Sequence, residues 1–311
     1  MEQRTDLTAF SGKIRQLRSS IARVIVGQEE AVDMVLTCIL ADGHVLIEGV
    51  PGVAKTLLAR LISRLIDTDL MPSDVLGTTV FNMKTSEFDF HPGPVFADII
   101  LVDEINRAPA KTQAALFEVM EERQVSVDGT TRRMGDIYTI LATQNPVEQE
   151  GTYKLPEAQL DRFLMKITMG YPSVEEEVAI LERHQAKASF ARLDNMEPVL
   201  SPAELLQLRE MMTAVVVDGS LLNYIAQIVR QTRTSRAVYL GASPRASVAM
   251  LQASKAYALI QGRDFVTPDD IKTVTPHVLQ HRLILTAEAE MEGYTPLKVA
   301  RKLIEKVEVP K

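Results

Sequence analysis

Between residues 49 and 56 the chain reads Gly-Val-Pro-Gly-Val-Ala-Lys-Thr. Gly49 and Gly52 leave room for a loop to curl so that several backbone N–H groups face one anion. Lys55 and Thr56 then open a stretch with Leu57, Leu58, Leu61, Ile62 and Leu65 at helical spacing. The N-terminus of such a helix adds partial positive charge in front of the loop. These groups suit the phosphates of a nucleotide: Lys55 would reach the β- and γ-phosphates and the Thr56 hydroxyl would ligate Mg²⁺. The pattern G-x-x-x-x-G-K-[ST] is broken once, because Ala54 stands where the last Gly usually stands. Alanine fits there if the residue has a helical φ. Taken alone, the stretch reads equally as a Gly/Pro turn before an ordinary helix.

Two further strand ends carry polar groups of complementary type. Ile99-Ile100-Leu101-Val102 is followed by Asp103-Glu104, and the run from Ile137 to Thr143 ends in Gln144-Asn145-Pro146. Asp103 can supply Mg²⁺ with an oxygen ligand beside Thr56. Glu104 can orient and deprotonate an attacking water, and Asn145 can help to hold that water. Alone, the acidic pair is a solvated strand end and Asn145 a turn before a proline. In this order, together, they make a hydrolytic set. Two arginines join it. Arg162 lies in Leu155-Pro156-Glu157-Ala158-Gln159-Leu160-Asp161-Arg162-Phe163, where a surface ion pair with Asp161 or Glu157 is the plainer reading. Arg245 follows Ser243-Pro244, in the first turn of a helix, where a cation opposes the helix dipole unless an anion lies in front.

The elements that must hold these groups follow from periodicity. The spacing predicts helices over about 7–22 and from Ala31 to Leu40, the latter stopped by Gly43 and preceded by Val26-Gly27-Gln28. Val45-Leu46-Ile47, Ile99–Val102, Ile137–Thr143 and Phe163–Ile167 read as strands, those without alternation being buried on both faces. Ala110 to Arg123 reads as a helix, and Val80–Phe90 and Gln124–Arg133 as hairpins, the second with a D-G turn. After Asp67 the chain is short where a parallel sheet usually has another strand: either the chain lacks that strand or residues are missing there. Strands alternate with helices up to Tyr171-Pro172, a parallel α/β domain over residues 1–172. Beyond it the pattern is helical (173–311), with capping boxes at Ser173/Glu176 and Ser201/Glu204 and helices opened by Ser243-Pro244 and Thr267-Pro268.

Composition narrows the partners. The 311 residues are 46% hydrophobic with a formal net charge of -7, so a sizeable core can form and a mainly electrostatic nucleic-acid binder is disfavoured. The one cysteine, Cys38, sits on an apolar helical stripe and no disulfide framework exists. The five histidines show no metal-ligand spacing; His277 and His281, four apart, read as structural. No apolar run spans a membrane and no signal-peptide core opens the chain, so the expectation is a cytoplasmic protein without membrane insertion.

At this point the chain resembles the AAA+ ATPases, and within them the MoxR family. The stretch from Glu48 to Thr56 looks like that family's Walker A, including its Ala-Lys-Thr ending. Leu101 to Pro109 resembles its Walker B, Ala142 to Pro146 its sensor 1, Leu155 to Phe163 its arginine-finger segment, and Gly241 to Ala246 its sensor 2. Asp69 to Asp74 matches as well, and Val26-Gly27-Gln28 is similar to the segment that lines the adenine. The resemblance covers roughly residues 15–290 and implies an AAA+ P-loop core of five strands, flanked by helices and followed by an all-helical lid. It implies binding of ATP and ADP by Val26, Gly27, Gly49, Pro51, Gly52, Val53, Ala54, Lys55, Thr56 and Leu57, with Mg²⁺ on Thr56 and Asp103. Catalysis would fall to Glu104, Asn145, Arg162 and Arg245, with Arg162 directed at the ATP of the next subunit. The implied activity is ATP hydrolysis coupled to chaperone-like remodelling of partner proteins. The working form would be a ring, usually a hexamer, often partnered by von Willebrand factor A domain proteins. A motor subunit of a metal chelatase, a nucleic-acid motor, and a nucleotide-gated scaffold that hydrolyses little are the alternatives.

Overall fold

The structure is a computed structural model describing residues 8–68, 70–72, 77–82, 87–127, 130–146, 155–185 and 196–310. Two helices open the chain, α1 (Thr8–Ala22) and α2 (Glu29–Leu40); nine of α2's twelve residues are buried, so it is an interior helix. Strand β1 (Val45–Gly49) leads through the 50–54 loop into α3 (Lys55–Leu65). The chain then forms β2 (Leu70–Pro72), the antiparallel pair β3 (Gly77–Asn82) and β4 (Glu87–Pro92), and strand β5 (Ile99–Val102). Helix α4 (Ala110–Glu122), the pair β6 (Gln124–Val127) and β7 (Thr130–Arg133), and β8 (Thr139–Gln144) follow. A short α5 (Glu157–Leu160) precedes β9 (Met165–Met169).

Five of these strands form one parallel sheet in the order β2-β5-β8-β1-β9. The all-apolar β5 and the apolar β8 lie inside it, each covered on both faces, which is why neither alternates. One expectation is overturned here: the strand that the short stretch after Asp67 left no room for is present as β2. Its three residues pair in parallel with Ile99, Ile100 and Leu101. So short a strand has too little pattern to be seen in sequence. The neighbouring edge of β5 supplies what makes it a strand. The turns of the two predicted hairpins, at 83–86 and 128–129, lie outside the described residues.

The remaining elements are α6 (Val174–Gln185), α7 (Pro202–Thr213), α8 (Gly219–Thr234), β10 (Val238–Leu240), α9 (Pro244–Ile260), α10 (Pro268–Leu279), β11 (Ile284–Leu285), α11 (Ala287–Met291) and α12 (Pro296–Glu305). Among the described residues this part is helical except for the short antiparallel pair β10–β11 and an isolated bridge between Val216 and Phe265. Capping boxes start α7 and α10 as their sequences require. Ser173 and Glu176 bond reciprocally at the start of α6, at 2.7 and 3.2 Å. Helix α9, rich in buried alanines, packs closely on α2 and α10. One apolar cluster therefore runs from α1–α3 and the β1/β9 side of the sheet into α7–α12, while a second lies under α4, β5 and β8. Among the described residues, no helix is long and apolar enough to cross a membrane.

Candidate nucleotide site

Parallel strands put their C-terminal ends on one edge, and β5, β8 and β1 are adjacent. The loop after β1, Asp103-Glu104 after β5 and Asn145 after β8 are therefore neighbours without any further device. Gly49 sits against β9: a Cβ built there would lie 2.7 Å from the Met169 carbonyl oxygen. Gly52 has φ +88° and Ala54 has φ +64°, ψ +23°. Alanine is thus held in the left-handed region, not in the helical φ that its presence suggested. That conformation costs an L-residue about 1–2 kcal/mol.

Lys55 Nζ donates to the Gly49 carbonyl and, at 3.2 Å, to that of Gln144. The ammonium thus lies between the ends of β1 and β8, over the mouth of the loop. Thr56 Oγ1 donates to Asp103 Oδ2 at 3.2 Å. A hydroxyl and a carboxylate oxygen that converge in this way are the hard oxygen donors a Mg²⁺ ion takes. The other Asp103 oxygen accepts from Thr143 Oγ1, and the same hydroxyl accepts from the Glu104 backbone N–H at 2.9 Å. Thr143 is therefore a brace for two of the predicted residues. Nothing marked it in sequence, although it stands two positions before Asn145 at the end of an apolar strand. Glu104 has φ +51°, and its carboxylate faces Arg107 Nη1 at 3.0 Å. Asn145 is buried.

Val26 and Gly27 precede α2. Gly27 has φ +67°, and a Cβ there would stand 2.1 Å from Glu176 Oε1, so the start of α6 lies directly on this glycine. Beside it is a cavity of about 360 Å³ whose apolar wall is Ile21, Ile25 and Val32, closed by the Arg18–Asp33 ion pair.

The two predicted arginines lie elsewhere. Strands β1 and β9 run in parallel with Val45 opposite Met165 and Gly49 opposite Met169. The phosphate loop leaves the sheet at one edge, while Arg162 precedes β9 at the other, about 13 Å of strand away. Arg162 donates to the Phe117 carbonyl and its Nε lies 3.4 Å from Glu121 Oε2, so the partners are on α4 and not Asp161 or Glu157. Arg245, on α9, meets Glu121 Oε1 at 3.5 Å and Asp161 Oδ2 at 3.8 Å. The anions before this helix terminus are thus carboxylates of the same chain. Arg162 and Arg245 line one cavity of about 510 Å³ together with Arg123 and Arg282. Arg282, almost wholly buried, pairs with Asp161 at 2.7 Å and donates to the carbonyls of Asp161, Phe163 and Leu164. His281 Nε2 lies 3.0 Å from the Phe163 carbonyl. Arg282 and His281 thus clamp the turn that carries Arg162. In sequence Arg282 is unmarked and His281 reads only as structural, because their partners lie more than a hundred residues away.

Comparison with known proteins agrees with this arrangement. Residues 44–165 match the family described as "ATPase family associated with various cellular activities (AAA)", and residues 230–306 match the "AAA lid domain". The chain is 43% identical to Chaperone MoxR1 of Mycobacterium tuberculosis, over 93% of this chain and 80% of the relative. It is 31% identical to Protein MoxR of Methylorubrum extorquens, over 92% and 91%. A crystal structure of a candidate ATPase from Cytophaga hutchinsonii superposes with a TM-score of 0.88 at 36% identity, covering 98% of this chain and 97% of that one. A parallel sheet with a phosphate loop at its carboxyl edge, a lid fused to it, and these relatives have one meaning: the chain belongs to the MoxR family of AAA+ ATPases.

Proposed function

We propose that the protein is a Mg²⁺-dependent ATPase that uses hydrolysis to remodel partner proteins. The observation that carries this reading is the meeting of Lys55, Thr56–Asp103, Glu104 and Asn145 at one sheet edge. When bound, Mg²⁺ would neutralise charge on the phosphates and orient them. Thr56 and Asp103 would hold it, with Thr143 fixing the Asp103 carboxylate. Lys55 leaves the two carbonyls it now bonds for the β- and γ-phosphates, and the N–H groups of Pro51's successors through Leu57 line the triphosphate. The purine lies toward Val26 and Gly27. Glu104 turns from Arg107 to accept the proton of the attacking water, and Asn145 holds that water in line.

Arg162 and Arg245 stand at the far edge of the sheet from their own phosphate loop. They serve the γ-phosphate bound by a neighbouring copy, and the working form is a closed ring, a hexamer by family resemblance. The partners are proteins, von Willebrand factor A domain proteins among them, and the acidic balance of the chain points away from nucleic acid. The division into a core at 1–172 and a lid at 173–311 is part of this reading, as is a cytoplasmic location.

The test is steady-state phosphate release with Glu104→Gln beside the wild type. The variant keeps the shape of the side chain and loses the base. It should bind ATP normally and turn over at least about a hundredfold more slowly. Turnover within about twofold of wild type would remove Glu104 from the mechanism.

A further inference from the structure

Helix α6 is mounted with its apolar side outward. Val174, Val178 and Leu181 are spaced i, i+4, i+7 and share one face, which Tyr171 extends by a turn. Their exposure runs from 47% at Val178 to 76% at Tyr171. Among the described residues, α6 has no buried one. At 100° per residue, Glu176 and Arg183 fall half a turn round from this stripe. Those two side chains hold the helix to its own chain: Glu176 lies on Gly27, and Arg183 Nη1 donates to the carbonyls of Ala22 and Arg23 at 3.2 and 3.0 Å. The helix is thus attached by polar contacts beside the candidate nucleotide site. Its hydrophobic stripe, flanked by Glu175 and Glu182 on one side and Glu177 on the other, faces away.

A second exposed apolar surface lies on β10 and α9. Tyr239 (79% exposed) and Leu240 on β10, and Val248 on α9, are exposed hydrophobic residues; β10 leads within four residues into the α9 terminus that carries Arg245, and Val248 shares a cavity with it. Arg233, in the last turn of α8, is exposed and donates to the Ala242 carbonyl at 2.9 Å, just before α9; Arg236, two residues beyond α8, is exposed and lines a cavity with Glu288 and Glu292. One surface is apolar with an acidic rim and borders the phosphate-loop side. The other is apolar, carries Arg233 and Arg236 beside it, and includes Val248, which lines one cavity with the Arg245 that the proposed function directs at a neighbour's phosphate.

We infer that the outward stripe of α6 docks on the Tyr239–Leu240–Val248 surface of a second copy of this chain, with Glu175 and Glu182 facing Arg233 and Arg236. This rests on the proposed function, which places Arg162 and Arg245 against the neighbour's nucleotide. Such a contact joins unlike surfaces and repeats head to tail, as a ring requires. It couples the nucleotide edge of one subunit to the arginine edge of the next through the helix that covers Gly27.

The test reads assembly by mass, apart from hydrolysis, with ATP and Mg²⁺ present. Val178→Asp with Leu181→Asp should raise the protein concentration needed for assembly about tenfold or more, while binding of a fluorescent ATP analogue by the separate subunits stays unchanged. Glu175→Arg with Glu182→Arg should weaken assembly, as should Arg233→Glu with Arg236→Glu. Mixing these two charge-reversed proteins should restore contacts between unlike subunits. Rings that form normally from the Val178→Asp, Leu181→Asp protein overturn the inference, as does the absence of any recovery in the mixture. If rings form as inferred but Arg162 and Arg245 prove dispensable within them, the arginine reading fails and the docking surface stands. A wild type that never assembles overturns both.

Discussion

At the scale of single residues, the site combines strain with bracing. Ala54 occupies a left-handed backbone position that glycine fills at no steric cost. Replacing it by glycine relieves that strain and adds freedom to the unfolded chain, which offsets part of the gain. Ala54→Gly is expected to stabilise the nucleotide-free protein by about 0.5–1 kcal/mol. Urea unfolding would show it; an unchanged or lowered midpoint would mean that the loop does not hold φ positive in solution. Thr143 acts one step back, through Asp103 and the Glu104 N–H. Thr143→Val keeps the shape and removes the hydroxyl. Outer partners of this kind are worth about 10–100-fold in metal affinity or activity. The Mg²⁺ concentration for half-maximal turnover should therefore rise by that order, and a variant with wild-type Mg²⁺ dependence would leave Thr143 a merely packed residue.

At the scale of elements, buried histidine ties three of them together. His44 precedes β1; its Nδ1 accepts from the Ile140 N–H on β8 at 3.0 Å, and Nε2 faces the Met120 carbonyl of α4 at 3.4 Å. This arrangement needs the neutral ring with its proton on Nε2. Burial is the main cause that pushes His44 down to about 4 from the usual 6.5, with Arg123 and Arg209 adding to it. Burial pushes His281 down as well. Between those two pH values the unfolded chain binds the proton and the folded chain does not. Stability from His44 is therefore complete above about pH 6.5 and is lost as pH falls toward 4, by about 3 kcal/mol. His44→Gln, whose amide can both donate and accept, should flatten the fall in urea midpoint between pH 7 and pH 4.5. An equally steep fall in the variant would place the titration elsewhere.

At the scale of the molecule, the edge that carries Lys55 and the edge that carries Arg162 are separated by the length of a strand. Lys55 lies at the carboxyl ends of β1 and β8, and Arg162 lies before the amino end of β9, held there by Arg282 from beyond α10. If the arginine serves a neighbour, it should contribute a factor of about 10³–10⁵ to turnover. Activity per subunit should then rise with protein concentration. Lys55→Ala and Arg162→Ala, each inactive alone, should regain partial activity when mixed, since some interfaces would pair an intact loop with an intact finger. Co-assembled mixtures that stay inactive would refute action between subunits.

The phosphate loop, the acidic pair and the buried strands were legible in the chain because each is local. A loop that curls, a strand end that turns acidic and an apolar run of four residues need only their neighbours in sequence. So too for the capping boxes at Ser173 and Ser201, where donor and acceptor stand three residues apart. What tertiary structure alone decided involves partners far apart in the chain. The three residues of β2 became a strand only against the edge of β5. Ala54 took a positive φ because the loop between β1 and α3 demands it. Asp161 is held by Arg282 across 121 residues, and Glu121 is shared by two arginines from different parts of the chain. The capping box at Ser173 marked where α6 begins, yet not which way it faces: only the packing of the whole chain shows which side of a helix is covered.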